Sequence, residues 1–459
     1  MREPEKLERG LGLIEATSLN MTFMVGIGPF VVIPFVLQAM HGPMSLVAWT
    51  CGALLALFDG CIWAELGAAM PEAGGSYVFL REAYGPGKLG RLMSFLFIWQ
   101  TLFQGPLSIA SGALGFATYS RYLLERLHWS SKALAALGKS GNNVIAGIVI
   151  LLVVVLLYRR IAEIGRISVI FTVVVVGTIL WIIAGGMRHF DARVFDFSTS
   201  GVDWSALALL AALGNGTVQT IYSYLGYYNV CNLGGEMKEP QRNIPRAILI
   251  SIISITALYL AMQTSILNVV PWREAAQSSF VVSTFIERVY GSQWAELATA
   301  LILLTALGSV FSAMLGYSRV PYAAALDGNF FSVFGRVHET KRFPNISLLA
   351  VALAALIFSL VFSLISVIRA ILAMRCIIQF VGQAVGLILL RRRWPGERFP
   401  FRMWLYPLPV VIAIGGWIGV FVATGRTPML ASLGAAFAGI LVYLIRARFE
   451  NEWPFKEAR

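Results

Sequence analysis

Apolar residues run along this chain in twelve stretches, separated by short segments rich in glycine, proline and charge. The stretches are 12–38, 44–70, 91–122, 142–159, 166–187, 205–234, 246–270, 293–323, 344–363, 366–390, 405–423 and 428–446. A helix crosses a bilayer with about 20 mostly apolar residues, so each stretch predicts a transmembrane helix. The intervening glycines, prolines and charges are the residue types that end helices. The segment 274–290 (EAAQSSFVVSTFIERVY) instead predicts a short amphipathic helix lying at a membrane interface. The pattern predicts an all-α polytopic membrane protein, with one transmembrane domain filling nearly all of residues 1–459.

Composition agrees. Hydrophobic residues make up 58% of the chain and charged residues 13%, too few to coat a soluble domain of this size. The formal net charge of +12 is spread over many short loops, whereas a nucleic-acid partner would call for one basic patch. Twelve spans place both termini on one side. That side carries 25 of the 36 lysines and arginines and the opposite side nine, with Arg369 and Arg375 within a span. The bias puts both termini in the cytoplasm, as for a multi-pass protein of the plasma (bacterial inner) membrane. The four cysteines (Cys51, Cys61, Cys231, Cys376) and four histidines (His41, His128, His189, His338) show no metal-ligand spacing. Neither a metal site nor another cofactor is expected. No HExxH or GxSxG motif occurs, which argues against a membrane-embedded enzyme.

Two spans carry their own interruptions. The first contains Val25-Gly26-Ile27-Gly28-Pro29-Phe30. Its glycines permit non-helical backbone, and Pro29 suits the first turn of a new helix, where its missing N–H is not needed. A helix N-terminus exposed there would offer free N–H groups and a partial positive charge to a carboxylate. Glycine and proline are also simply frequent in membrane helices. The sixth span contains Tyr222-Ser223-Tyr224-Leu225-Gly226-Tyr227-Tyr228-Asn229, again with a glycine near its middle. Interruptions in the first and sixth spans point to two inverted five-helix repeats, about 12–187 and 205–390, with two extra helices at about 405–446.

Several segments then carry a family resemblance. GIGPF at 26–30, AELGAAMPEAGGSYVFLREAYGP at 64–86, YLGYYNVCNLGGEMKEPQRNIPRAI at 224–248, RVPYAAALDGNF at 319–330 and RFPFRMWLYPLP at 398–409 are similar to segments of the amino acid–polyamine–organocation (APC) permease superfamily. The last matches a pattern common among its bacterial members. The resemblance covers nearly the whole chain. It implies a leucine-transporter-like five-plus-five fold with discontinuous helices 1 and 6 and substrate held between them. Backbone N–H groups of Gly26, Ile27 and Gly28 would then hold a carboxylate, and carbonyls around Tyr224, Leu225 and Gly226 would receive an ammonium group. Tyr222 falls where relatives keep an aromatic gate, Tyr227 joins an aromatic lining, and Gln104 lies on the third span, which lines the path.

The chain departs from that pattern in places. Pro29 replaces the usual isoleucine, Tyr227 and Tyr228 make the sixth-span break bulkier, and Val175 lies near the place where many relatives carry a lysine. Some relatives join an accessory subunit through a cysteine after the third span, but residues 123–141 contain none, so no such disulfide-linked partner is expected.

Ionisable groups inside a span are costly, about 2.5–3.5 kcal/mol for Asp or Arg at a helix centre on insertion scales, so each needs a partner or a task. Glu65 matches a family position with a structural role near the end of the second span. Asp59 lies deeper and fits either a proton site or a pairing group between helices. Arg375 continues into Gln379 and Gln383 at four-residue spacing, and Gln100 and Gln104 make a similar pair. Arg369 is placed to reach the surface. Ser309 and Ser312 in the eighth span fit a sodium site, although such serines more often bond their own backbone.

The expected function is secondary transport of amino acids by alternating access, as symporter or exchanger, driven by protons, sodium or exchange. A neutral amino acid comes first, since backbone groups would serve its charged ends. A polyamine or cationic amino acid is the alternative and would need acidic residues, while an acidic amino acid would suit Arg375. A channel or a sensor on the same fold is the further alternative.

Overall fold

The computed structural model describes residues 7–126, 131–192, 205–361 and 364–455. His128, the last two residues of the 344–363 run, and Arg2, Lys6, Arg193, Lys456 and Arg459 among the lysines and arginines counted above lie outside the described residues.

Among the described residues the chain is helical, with two isolated β-bridges. The first span is two helices, α1 (Leu13–Val25) and α2 (Gly28–Met40), meeting at 43° across Gly26 and Ile27. Then come α3 (Ser45–Ala69), a connecting helix α4 (Ser76–Tyr84), α5 (Leu89–Arg126), α6 (Ser131–Leu157) and α7 (Ile161–Met187). The sixth span is likewise interrupted: α8 (Ala206–Tyr224) stops, residues 225–228 form turns, and the short α9 (Asn229–Asn232) resumes. The chain continues through α10 (Pro240–Val269), α11 (Trp272–Ala275), α12 (Val281–Tyr290), α13 (Ser292–Tyr317), α14 (Arg319–Leu326) and α15 (Asn345–Val361). It ends with α16 (Leu364–Arg375), a π-helical turn (Cys376–Val381), α17 (Gly382–Arg393), α18 (Leu408–Ala423) and α19 (Arg426–Phe449).

Seven of the described helices are long and apolar enough to cross a membrane, and the bent α1–α2 pair makes eight. Shorter apolar helices at Gly141–Leu157, Asn345–Val361 and Leu408–Ala423 accompany them. This is a polytopic membrane protein.

Two glycines account for the breaks. A Cβ on Gly26 would collide with the Ser309 hydroxyl of α13, so helix 1 can approach α13 there only without a side chain. Gly226 has φ +126°, a conformation that other residues rarely adopt, and its added Cβ would lie 3.0 Å from the Met24 amide. Each break is thus packed against another span.

The structure differs from the sequence reading in two local respects. The segment 274–290 is two helices, α11 and α12, because a turn intervenes in which Ser278 Oγ accepts from the Phe280 N–H at 3.2 Å. The tenth span changes winding at the π turn directly after Arg375, and such turns frequently mark functional positions. At the end bearing the N-terminus, Glu236 is buried against Arg319 in a paired contact at 2.8 and 2.7 Å, while Gly10 and Leu11 N–H groups donate to the Glu236 carbonyl.

Candidate substrate-binding site

The helix 1 break faces a small cavity. Its walls come from the break itself (Gly26, Ile27, Gly28), from Leu225 and Tyr222 at the other break, from Ser108, Ser111 and Gly112 on α5, from Ser309, and from Arg375. Gly28 opens α2, so its N–H has no carbonyl four residues earlier in its own helix. Pro29 removes the next donor. The cavity volume is about 40 Å³, room for a few waters rather than for an amino acid. Binding therefore requires the wall to move.

Tyr222 is the wall most suited to that movement. Its ring lies 3.3 Å from where a Cβ on Gly28 would sit, and its hydroxyl is hydrogen-bonded to Ser111 Oγ at 3.0 Å. One rotation would break a single hydrogen bond.

Arg375 supplies the charge. It is 1% exposed, and among the described residues no carboxylate lies within ion-pair distance of it. Its Nε donates to Gln104 Oε1 at 2.8 Å and an Nη donates to Ser108 Oγ at 2.6 Å. Further Nη contacts reach the hydroxyls of Tyr228 and Tyr317. A guanidinium held by neutral acceptors keeps its full positive charge beside the cavity.

The other residues singled out from the sequence fall around this centre. Gln104 sits behind Arg375, orienting it, and is joined to Gln379 at 3.4 Å. Tyr224 turns away and packs edge-on against Trp49 and at a tilt against Tyr259. Gly226 and Tyr227 also stand outside the cavity wall: the Gly226 carbonyl accepts from the Asn229 N–H, and the Tyr227 hydroxyl donates to Asp59 at 2.5 Å. Ser309 lines the cavity. Ser312 is buried nearby with an unpartnered hydroxyl, while its carbonyl accepts from Asn229 at 2.9 Å. Glu65 lies elsewhere, accepting two bonds of 2.6 Å from Arg391 and one from the Met403 N–H. Gln383 accepts from Ser76 at 2.5 Å, and Arg369 is exposed.

Ser108, Ser111 and Tyr317 were not singled out from the sequence. The two serines extend the Gln100–Gln104 stripe by further steps of four and three, a helical periodicity visible in the sequence. Tyr317 carries no such signal, since its position follows from the packing of α13 on α5.

A family model for amino acid permeases matches residues 11–445. The chain belongs to the amino acid permease family. This permease is an amino acid transporter and not an enzyme. The serine/threonine exchanger SteT of Bacillus subtilis is 28% identical, over 96% of this chain and 97% of that protein. The cystine/glutamate transporter of Pongo abelii is 26% identical, over 97% of this chain and 86% of that protein. The human cationic amino acid transporter 4 is 26% identical, over 84% and 60% respectively. Their names span neutral, acidic and cationic amino acids, so membership alone leaves this permease's substrate open.

Proposed function

We propose that this permease moves a small amino acid by alternating access, with the substrate held between the breaks of the first and sixth spans. One observation carries the reading: Gly26, Ile27 and Gly28 line one small cavity together with Tyr222 and Leu225. The α-carboxylate sits on the N–H groups of Ile27 and Gly28, where the positive end of α2 favours an anion. The ammonium group faces carbonyls near Leu225, and Tyr222 closes over the pair.

Packing supports a two-fold relation between the halves. The second and seventh spans pack together (α3 on α10), as do the third and eighth (α5 on α13), and the two broken spans meet (α2 on α8). Equivalent helices paired across a common axis are what five-plus-five inverted repeats over about 12–187 and 205–390 produce, within a twelve-span protein. Both termini lie in the cytoplasm of a cell with this permease in its plasma membrane, on the bias of lysine and arginine.

A neutral amino acid such as serine satisfies the backbone groups alone. An acidic amino acid is the second reading, because Arg375 lines the cavity with no carboxylate partner among the described residues. Counterflow in proteoliposomes across the common amino acids tests both. Saturable exchange of one class supports a carrier, and unsaturable conductance or no exchange contradicts it.

A further inference from the structure

Asp59 sits in the middle of the second span, 1% exposed, among aromatic side chains. The Tyr227 hydroxyl donates to it at 2.5 Å. The indole N–H groups of Trp63 and Trp417 face the same carboxyl, and both are buried with no hydrogen-bond partner of their own. Trp63 stacks on Tyr228 at 4.6 Å, and Trp417 stacks on Phe380 of the π turn at 3.8 Å. Among the described residues the carboxyl thus has one hydrogen-bond donor, Tyr227, with two unpartnered indole N–H groups nearby and no ion-pair partner.

The neighbourhood is otherwise quiet. On α3 the other titratable groups are Cys51, Cys61 and Glu65, the last held by Arg391. The broken span presents Tyr227 and Tyr228, and the tenth span presents Arg375 and Cys376. From α18 comes Trp417, and α10 offers Ile248 and Ile252 beside Gly60. The field of the buried Arg375 reaches the same tyrosines as that of Asp59.

We propose that Asp59 is a proton-binding site whose charge, passed on through Tyr227, Tyr228 and Arg375, sets the cavity's affinity for an anionic substrate. This rests on the substrate site proposed above. With Asp59 ionised, its negative charge offsets that of Arg375 across the two tyrosines, and a zwitterion suffices. A proton from solution forms an O–H bond at Asp59, which then donates to the Tyr227 oxygen. Arg375 is left uncompensated at low dielectric, and a substrate carboxylate replaces the missing charge. Because Tyr227 belongs to the helix 6 break, two residues from the cavity-lining Leu225, and its carbonyl is held by Asn20 at 2.6 Å, the same proton acts on backbone adjoining the site. Proton and acidic substrate therefore bind cooperatively.

The test measures apparent affinity in proteoliposomes from pH 5.5 to 8, with L-glutamate and L-serine as probes. In the wild type, affinity for L-glutamate rises as pH falls, by up to about tenfold per pH unit on the titrating flank, while that for L-serine changes little. Asp59→Asn mimics the protonated carboxyl and flattens the glutamate profile at its tight end. Tyr227→Phe, a smaller change should Asp59→Asn fold poorly, moves the midpoint without flattening the profile. A wild type that ignores L-glutamate at pH 5.5, an Asp59→Asn variant with the wild-type slope, or an unmoved midpoint in Tyr227→Phe overturns the proposal while leaving a neutral amino acid carrier intact. Absence of saturable exchange for every amino acid overturns the site as well.

Discussion

Tyr227 and Tyr228 are neighbours in the chain, yet their hydroxyls serve opposite charges: Tyr227 donates to the Asp59 carboxyl, and Tyr228 accepts from the Arg375 guanidinium. Their rings stand at 86° to each other, 5.2 Å apart, in the turn that interrupts the sixth span. Regular helix would also turn successive side chains about 100° apart, but here the backbone between α8 and α9 is not helical. The broken span thus joins a buried acid on one side to a buried base on the other.

Removing that base should be severe. Arg375→Ala strands Gln104, Ser108, Tyr228 and Tyr317 around a void, and leaving buried polar partners unsatisfied costs about 1–3 kcal/mol each. Arg375→Lys is the informative variant, because one ammonium cannot meet four acceptors in a fork. It is expected to lower affinity for L-glutamate more than for L-serine, read by competition uptake.

Tyr222 walls the cavity with its ring and is hydrogen-bonded to Ser111. Tyr222→Phe loses only the bond to Ser111, so substrate affinity should fall by about two- to twelvefold, the equivalent of 0.5–1.5 kcal/mol. Tyr222→Ala removes the gate and should speed substrate release further, with thermal stability less affected. Unchanged apparent affinity in the alanine variant would remove Tyr222 from the gate.

The Arg319–Glu236 pair is buried on both sides, at 1% and 0% exposure. Glu236→Gln leaves a buried guanidinium without its counter-charge, a loss of about 3–5 kcal/mol where such pairs have been split. A markedly lower melting temperature is expected. Replacing both partners by apolar residues should restore much of it, since the desolvation of two charges is then avoided.

The breaks were legible because glycine is rare as the best answer to a steric problem: Gly26 must clear Ser309, and Gly226 must take positive φ. Arg375 and Asp59 were legible as charges inside apolar runs. Their partners were not. Tyr227 was expected to line the cavity, but whether a bulky residue in a turn faces the substrate or a neighbouring helix depends on tertiary packing. Trp417 and Tyr317 look like ordinary core aromatics until the fold brings them to Asp59 or Arg375, whereas Trp63 already follows Asp59 by four residues on one helix. The π turn at Cys376–Val381 is likewise silent in the sequence, since it depends on one backbone hydrogen-bond shift that no residue type dictates.

The central claim is that an amino acid binds between the two helix breaks, and Gly28 tests it most directly. A Cβ at Gly28 would already touch the Tyr222 ring at 3.3 Å, and a leucine would fill the cavity. Thermal stability of purified wild type and Gly28→Leu should be measured against each common amino acid. The account predicts that at least one amino acid stabilises the wild type, by about 2.7 kcal/mol at a hundredfold excess over Kd, while the folded Gly28→Leu protein gains nothing and takes up no substrate. Equal stabilisation of both proteins by the same amino acid would place the binding site elsewhere.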